Sequence, residues 1–310
     1  MVSTLKELRG TVKNLRRFGV EGSKDWSAFN PSIAYSDKHG FIMTVRSSNY
    51  VILEHGELHV MNGGPIRNKI MVARLSSDLD FESMHELVYD CGRPFPRGIE
   101  DAKLLWRDSK LFFTGVAMER DIRVARQCEC WISDDLKTVT EFKLLGGIDP
   151  KRPEKNWMTA AKKPANFDYI YDGNGVIVGD RVVRRFQIDE RLSGLRGNTH
   201  LIEQADGTYL GIMHKLYTTK KKMYDARRFG IVDGVLKDYH HFFVRFDADG
   251  WAVEVSKPFQ FVSPGIEFAA GLLEKDGHYV ISFGKNDASS HIAIIENKHV
   301  KKIMERVRQS

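Results

Sequence analysis

Cysteine is scarce in this chain. There are three in 310 residues, Cys91, Cys128 and Cys130, so at least one has no partner within the chain and no disulfide framework is implied. Cys128 and Cys130 lack a second pair of ligands and have the period of one strand face, not of a zinc site, so no metal is expected. Long apolar runs are missing as well. None approaches the roughly 18 residues that span a bilayer, and no apolar stretch follows the first basic residues as in a secretion signal. The expectation is a cytoplasmic protein with no membrane partner. Also absent are Gly-x-Gly-x-x-Gly and Asp-x-Asp in a Rossmann context, which argues against an ordinary two-domain glycosyltransferase.

What is present is a soluble composition, 42% hydrophobic and 28% charged, with a net charge of +6. That mild excess suits anionic substrates or cofactors without calling for nucleic acid. The densest basic stretch, "TTKKKMYDARR" at 218–228, reads as a solvated loop, with a basic lid over an anionic ligand as the alternative.

Near the start, Leu5, Leu8, Val12 and Leu15 recur at spacings of three and four, with Lys6, Arg9, Lys13 and Arg16 around them. This pattern predicts an amphipathic helix over 1–20, packed on its own domain or on a second copy of the chain. After residue 28 the texture changes to short runs of Val, Ile, Phe and Tyr broken every eight to twelve residues by Gly, Asp and Asn, the signature of an all-β sandwich, barrel or propeller. Repetition separates these options. "NPSIAYSDKHGFIMTVR", "EDAKLLWRDSKLFFTGVA" and "EFAAGLLEKDGHYVISFGK" share a polar lead, a strand, a turn and a second strand. Weaker copies start near 156 and 198, so a five-bladed β-propeller is expected, all-β, over 28–300. Residues 1–27 would form a helical extension and 301–310 a tail. Because inner strands of a propeller line its channel, Asn30, Asp101, Asn156, Asn198 and Glu267 would ring one pocket.

"RGIEDAKLLWRDSKLFF", 97–113, is the strongest local motif. Adjacent carboxylates that are both buried repel, which raises one pKa and suits a general acid. Strand alternation places Glu100 and Asp101 on opposite faces, so one would meet substrate. The competing reading pairs them with Arg97 or Lys103. His240 and His241 likewise alternate, and a lone strand histidine such as His200 reads as a hydrogen-bonding partner.

The stretches "FNPSIAYSDKHGFIMTVRSSNY", "RGIEDAKL", "EKNW", "RGNTHLI…YLGIMHK" and "YHHFFVRFDADG", in this order, resemble glycoside hydrolase family 130. Its five-bladed propellers include β-mannoside phosphorylases, with inverting mannosyltransferases as relatives. The resemblance spans about 28–296. It implies Asp101 as general acid, and Asn30 and Arg46 as groups that hold the sugar. Lys155, Asn156, Arg196, His214, Lys215, Tyr239 and His241 fall near positions that gather phosphate. Glu100, Trp157, Asn198 and Glu267 complete the expected substrate pocket. Two departures stand out: Asp101-Ala102-Lys103 lacks the family's proline and arginine, and Phe268-Ala269-Ala270-Gly271 replaces its last-blade Gly-Ala-Ala-Asp.

An inverting hydrolase needs a second carboxylate to activate water, whereas a phosphorylase needs cations to hold phosphate. The expected ring supplies the cations and one further carboxylate, Glu267. The reading is therefore an inverting enzyme of β-linked, mannoside-type sugars that uses inorganic phosphate as co-substrate and has no resident cofactor. The alternatives are transfer from a sugar phosphate or nucleotide sugar, and glycan binding without catalysis.

Overall fold

A computed structural model describes residues 2–15, 25–89, 97–118, 125–145, 154–184, 189–225 and 230–308. The chain is all-β, with one short helix, Asn297–Ile303, among the described residues. The first sheet comprises Ser27–Ser36, Gly40–Ser48, Asn68–Leu75 and Phe81–Glu86. The second comprises Ile99–Arg107, Lys110–Met118, Ala125–Ile132 and Thr138–Leu144, with Val88–Tyr89 added in parallel at its edge. The third is smaller: Tyr169–Asp172, Gly175–Val178 and Arg181–Arg184, joined by a bridge from Met158 to Ile170. The fourth is built around two 17-residue strands, Tyr209–Asp225 and Gly230–Phe246. The fifth comprises Glu267–Lys275, His278–Lys285 and Ser289–Glu296.

Alternating apolar residues make these strands two-faced, and turn chemistry sets their pairing. Asp276 and Gly277 both have positive φ, 50° and 74°, so a two-residue turn whose twist matches its strands joins the first pair of the fifth sheet. Each sheet then buries its apolar faces against its neighbours. Ile42 and Val72 meet Leu104 and Phe113, Leu145 and Trp157 meet Ile177, and Ile170 meets Met213. Phe243 packs with Ile281, and Val280 returns to Met43 of the first sheet.

The N-terminal segment is not a helix. Ser3–Thr4 pairs in parallel with Phe259–Gln260, and Thr11–Asn14 pairs antiparallel with Ser289–Glu296 as an outer strand of the fifth sheet. Two causes compete successfully with the helical spacing. Arg9 adopts a left-handed φ of 66°, and Gly10 lies so close to Leu5 that a Cβ there would sit 2.6 Å from Leu5 Cγ. The available strand edges do the rest, burying Leu5 and Leu15 while Val12 remains 36% exposed. Residues 16–20 of the expected helix lie outside the described residues. A homo-oligomer through that helix loses its basis. The C-terminus is not a bare tail either, since Met304–Arg306 pairs with Ala252–Ser256 and Val307 is buried.

The basic stretch is also a correction. Residues 218–225 continue a strand whose exposed end pairs with Gly230–Lys237, forming a two-stranded arm rather than a loop. Residues 226–228 lie outside the described residues. No helix of the described residues is long and apolar enough to cross a membrane.

Candidate active site

Inner strands of the first two sheets carry the same irregularity. The register of Ser27–Ser36 shifts between Phe29 and Ser32, and that of Ile99–Arg107 between Glu100 and Lys103. At each β-bulge one residue takes a left-handed backbone, Asn30 at φ 49° and Asp101 at φ 50°, which these side chains tolerate better than most. The interrupted ladder is stitched by side chains. Thr44 Oγ1 donates to Ala102 O at 2.9 Å, and Leu104 N donates to Ser32 Oγ at 2.8 Å.

The bulge turns Glu100 and Asp101 into the same pocket, so the opposite-face expectation fails. Their partner is neither Arg97 nor Lys103 but Arg46, from the neighbouring sheet. Arg46 is 5% exposed, with Nη1 3.1 Å from Asp101 Oδ1 and Nη2 3.3 Å from Glu100 Oε1. Its Nε donates to Asn68 Oδ1 at 2.9 Å, and its guanidinium lies over the rings of Phe29 and Tyr50. Asn30 Nδ2 donates to the same Asp101 oxygen at 2.9 Å. Gly98 supports this arrangement, since a Cβ at its positive φ of 73° would lie 1.9 Å from Asn68 O.

A cavity of about 160 Å³ opens over this cluster, lined by Asn30, Arg46, Glu100, Asp101, Lys155 and Asn156 on one side. Tyr50, Tyr239, Phe268 and Asp287 line the other. Asn156 shares the left-handed backbone, at φ 68°. His214 is buried beneath, stacked on Tyr239 at 4.6 Å and edge-on to Phe268.

The electrostatics reverse one expectation. Burial pushes Asp101 upward, but Arg46, the Asn30 hydrogen bond and Lys155 together outweigh it and hold the carboxyl below its ordinary value. The raised carboxyl is Asp287, lifted by burial and by the charges of Asp101 and Glu100, although Arg46 and the Tyr50 hydroxyl, 2.8 Å away, act against the rise. Burial lowers His214 well below the usual histidine range, with His241, Lys103, Arg196 and Lys155 adding to it. Tyr239 is pushed up to about 12, chiefly by burial.

Several expected residues lie elsewhere. Glu267 is fully buried, its carboxylate accepting from the backbone N–H groups of Phe261, Val262 and Ser263 and from Lys285. It shapes a turn, and the bulge of its strand falls at Ala270 instead, between Ala269 and Gly271. His241 faces the aromatic core, its Nε2 2.8 Å from Glu267 O and its ring against Phe259 and Phe261. Trp157 is 2% exposed and packs on Tyr169 and Tyr171. It lines a different cavity of about 430 Å³, beside Arg107 and Glu129. Asn198 is fully buried outside the pocket, with neither end of its amide hydrogen-bonded among the described residues.

Arg196 and Lys215 fall outside the pocket lining. Arg196, Arg184 and Lys155 line an adjoining cleft of about 340 Å³, so Lys155 belongs to both. Lys215 alternates with His214 along its strand, and its Cε lies near Gly194 in that cleft. Asn68, Tyr50, Lys237 and Asp287 were missed. Tyr50 ends a quoted motif, and Asn286-Asp287 has the composition of a turn, with both residues at positive φ. Those were the available signals.

No family model matches the sequence, and no curated protein matches it. Solved structures do. A β-1,2-mannobiose phosphorylase from Listeria innocua superposes with a TM-score of 0.58 at 14% identity, covering 94% of this chain and 96% of that one. A glycosyl hydrolase from Bacteroides ovatus gives 0.55 at 14% identity, covering 92% and 86%. A GDP-Man-dependent mannosyltransferase from Leishmania mexicana gives 0.55 at 13% identity, covering 89% and 86%. The chain therefore has the all-β fold shared by mannoside phosphorylases, glycoside hydrolases and mannosyltransferases. At these identities the likeness is one of fold.

Proposed function

We propose that the chain is a five-bladed propeller enzyme that moves a β-linked, mannose-type sugar between an acceptor hydroxyl and phosphate, with inversion. The cyclic packing of five sheets supports the architecture. The observation that carries the chemistry is Asp101, a pocket carboxylate fixed by Arg46 and Asn30 beside Lys155. Held ionised, Asp101 is the base that takes the acceptor's proton in the synthetic direction. By microscopic reversibility it is the acid that protonates the leaving oxygen in phosphorolysis.

Cations at the pocket's edge suit an anionic co-substrate. Lys155 reaches the pocket, and Arg196 lies close enough to His214 and Tyr239 to influence both. Phosphate arrives ionised, so no base is required to activate it. Asn30, Arg46, Glu100 and Asp101 would hold the sugar, and neither a metal nor a resident cofactor enters the scheme.

A second reading rests on the adjoining cleft. With Lys155, Arg184 and Arg196 in its walls, it is larger than one phosphate requires and would fit the diphosphate of a nucleotide sugar. Supplying α-mannose 1-phosphate or GDP-mannose with a panel of sugar acceptors separates the two. Phosphate release from the sugar phosphate, lost in Asp101→Asn, supports the phosphorylase; turnover with the nucleotide sugar alone replaces it with a transferase. Tight glycan binding without turnover of either donor removes both.

A further inference from the structure

A second cavity adjoins the Asp101 pocket. Three residues lining that pocket, Ile52, Lys237 and Ile266, also line this cavity of about 300 Å³, which lies between the two-stranded arm and the hairpin Tyr50–Ile52/Leu58–Val60. At ~30 Å³ per water-sized group, that is room for about ten such groups.

The cavity's walls are held together rather than loosely apposed. Val235 N donates to His55 O at 3.1 Å, and Tyr239 N donates to Gly265 O at 3.0 Å. Gly265 N donates to Asp238 Oδ1 at 3.0 Å, and Ile266 N to Asn286 Oδ1 at 3.2 Å. Gly56 lets the hairpin approach the arm, because a Cβ there would lie 2.3 Å from Val235 O.

The chemistry of the two spaces differs. Rings and charges line the Asp101 pocket. The outer cavity is walled by Ile52, Leu53, Val235, Leu236, Pro264 and Ile266, with no aromatic ring among its lining residues. Its polar side chains are Glu54, Lys237 and Asn286, and Asn286 Oδ1 is already engaged by Ile266 N. Aliphatic walls without a ring platform favour methylene groups over a further sugar.

We propose that this cavity takes the apolar, non-sugar portion of a glycoside whose sugar lies in the Asp101 pocket. The inference rests on reading that pocket as a sugar site. It specifies the substrate as one with an alkyl or aryl aglycone continuous with the glycosidic oxygen.

The test is calorimetric binding of methyl and hexyl β-mannosides to the wild type, Val235→Asp and Leu53→Asp, with methyl β-1,4-mannobioside beside them. At ~0.8 kcal/mol per methylene, each buried methylene tightens binding about fourfold, so the hexyl glycoside is expected to bind at least tenfold tighter to the wild type. In the variants that ratio should fall to about twofold, with methyl mannoside affinity unchanged. Two variants on opposite walls guard against one that misfolds, and a thermal melt of each checks this. Equal affinity of the two alkyl glycosides, or a gain with the disaccharide and none with the alkyl chain, overturns the inference while leaving the sugar site intact. No binding of any glycoside overturns the sugar-site reading and this inference together.

Discussion

Lys103 offers a quantitative test of the site's interior. Two residues beyond Asp101, it is 2% exposed, and its Nζ donates to Trp157 O at 2.9 Å. No carboxylate forms an ion pair with it among the described residues. Burial lowers its pKa from 10.5 to about 7, with Asp101 acting in the opposite sense. At about 1.4 kcal/mol per pKa step, the interior disfavours the ammonium form by about 5 kcal/mol. Between pH 7 and 10.5 the unfolded chain holds this proton and the folded chain does not, so stability rises with pH across the window. Below pH 7 both states are protonated and the full penalty stands. Replacing Lys103 by Met removes the titrating group and, with it, that slope. Urea unfolding at intervals from pH 7 to 9.5 should show the wild type gaining about 3 kcal/mol relative to Lys103→Met. The lost bond to Trp157 O shifts the variant's curve by a constant without tilting it. Tyr50, Tyr169 and Tyr239 are raised above the tyrosine value of 10.0, first by burial, and so contribute no slope within this range. Parallel curves for the two proteins would refute the placement of a neutral lysine beside the site.

Four further outcomes are expected. Arg46→Ala should lower turnover by about 100-fold or more, as loss of a preorganised charge partner does, and should raise the acidic limb of the pH–rate profile because the largest influence opposing burial at Asp101 is then gone, leaving only Asn30 and Lys155 against it. Asn30→Gly should relieve the left-handed backbone while removing the donor to Asp101, so thermal melts hold or rise as turnover falls. Burial lowers His241 to about 4, against the raising influence of Glu267; stability tied to it is therefore complete above about 6.5 and lost as pH falls toward 4. His241→Phe should flatten that acidic slope by up to about 3 kcal/mol in denaturant titrations. Leu5→Ala should cost about 2–5 kcal/mol in urea unfolding, a loss that an unattached N-terminal extension would not produce.

The sequence displayed most where a local rule and the tertiary structure agree. Strand texture, the polar starts at Asn30, Asp101 and Asn156, and the pairing of turns with strands were legible because side-chain alternation and turn chemistry are local. What required the folded chain was anything decided by a distant edge or charge. The spacing of Leu5, Leu8, Val12 and Leu15 satisfies a helix, but Thr11–Asn14 pairs instead with the edge of Ser289–Glu296, which local spacing cannot reveal. Glu267 is a carboxylate at a strand start, yet three backbone N–H groups claim it. Asp101 is acidic and buried, yet Arg46, 55 positions earlier in the chain, makes the largest contribution against the effect of burial. Asp287 carried no periodic signal, because turn residues are identified by the partners they meet.

The β-bulges explain both why the polar repeats were visible and why their facing was misread. A regular strand cannot present Glu100 and Asp101 to one space, since neighbours alternate. One left-handed residue breaks that alternation, and Asp and Asn can occupy it at modest strain. The residue type that the backbone tolerates is thus the type that the proposed chemistry would use. The first-sheet bulge serves the second sheet's carboxylate through the Asn30–Asp101 bond, and Gly284 of the fifth sheet leaves room for it, since a Cβ there would lie 2.1 Å from Asn30 Oδ1. Three sheets therefore contribute to one oxygen's surroundings. A carboxylate fixed in this way loses little entropy on meeting a substrate, so in the proposed chemistry the strain held at Asn30 and Asp101 would be offset by preorganisation at the carboxylate assigned to move the proton.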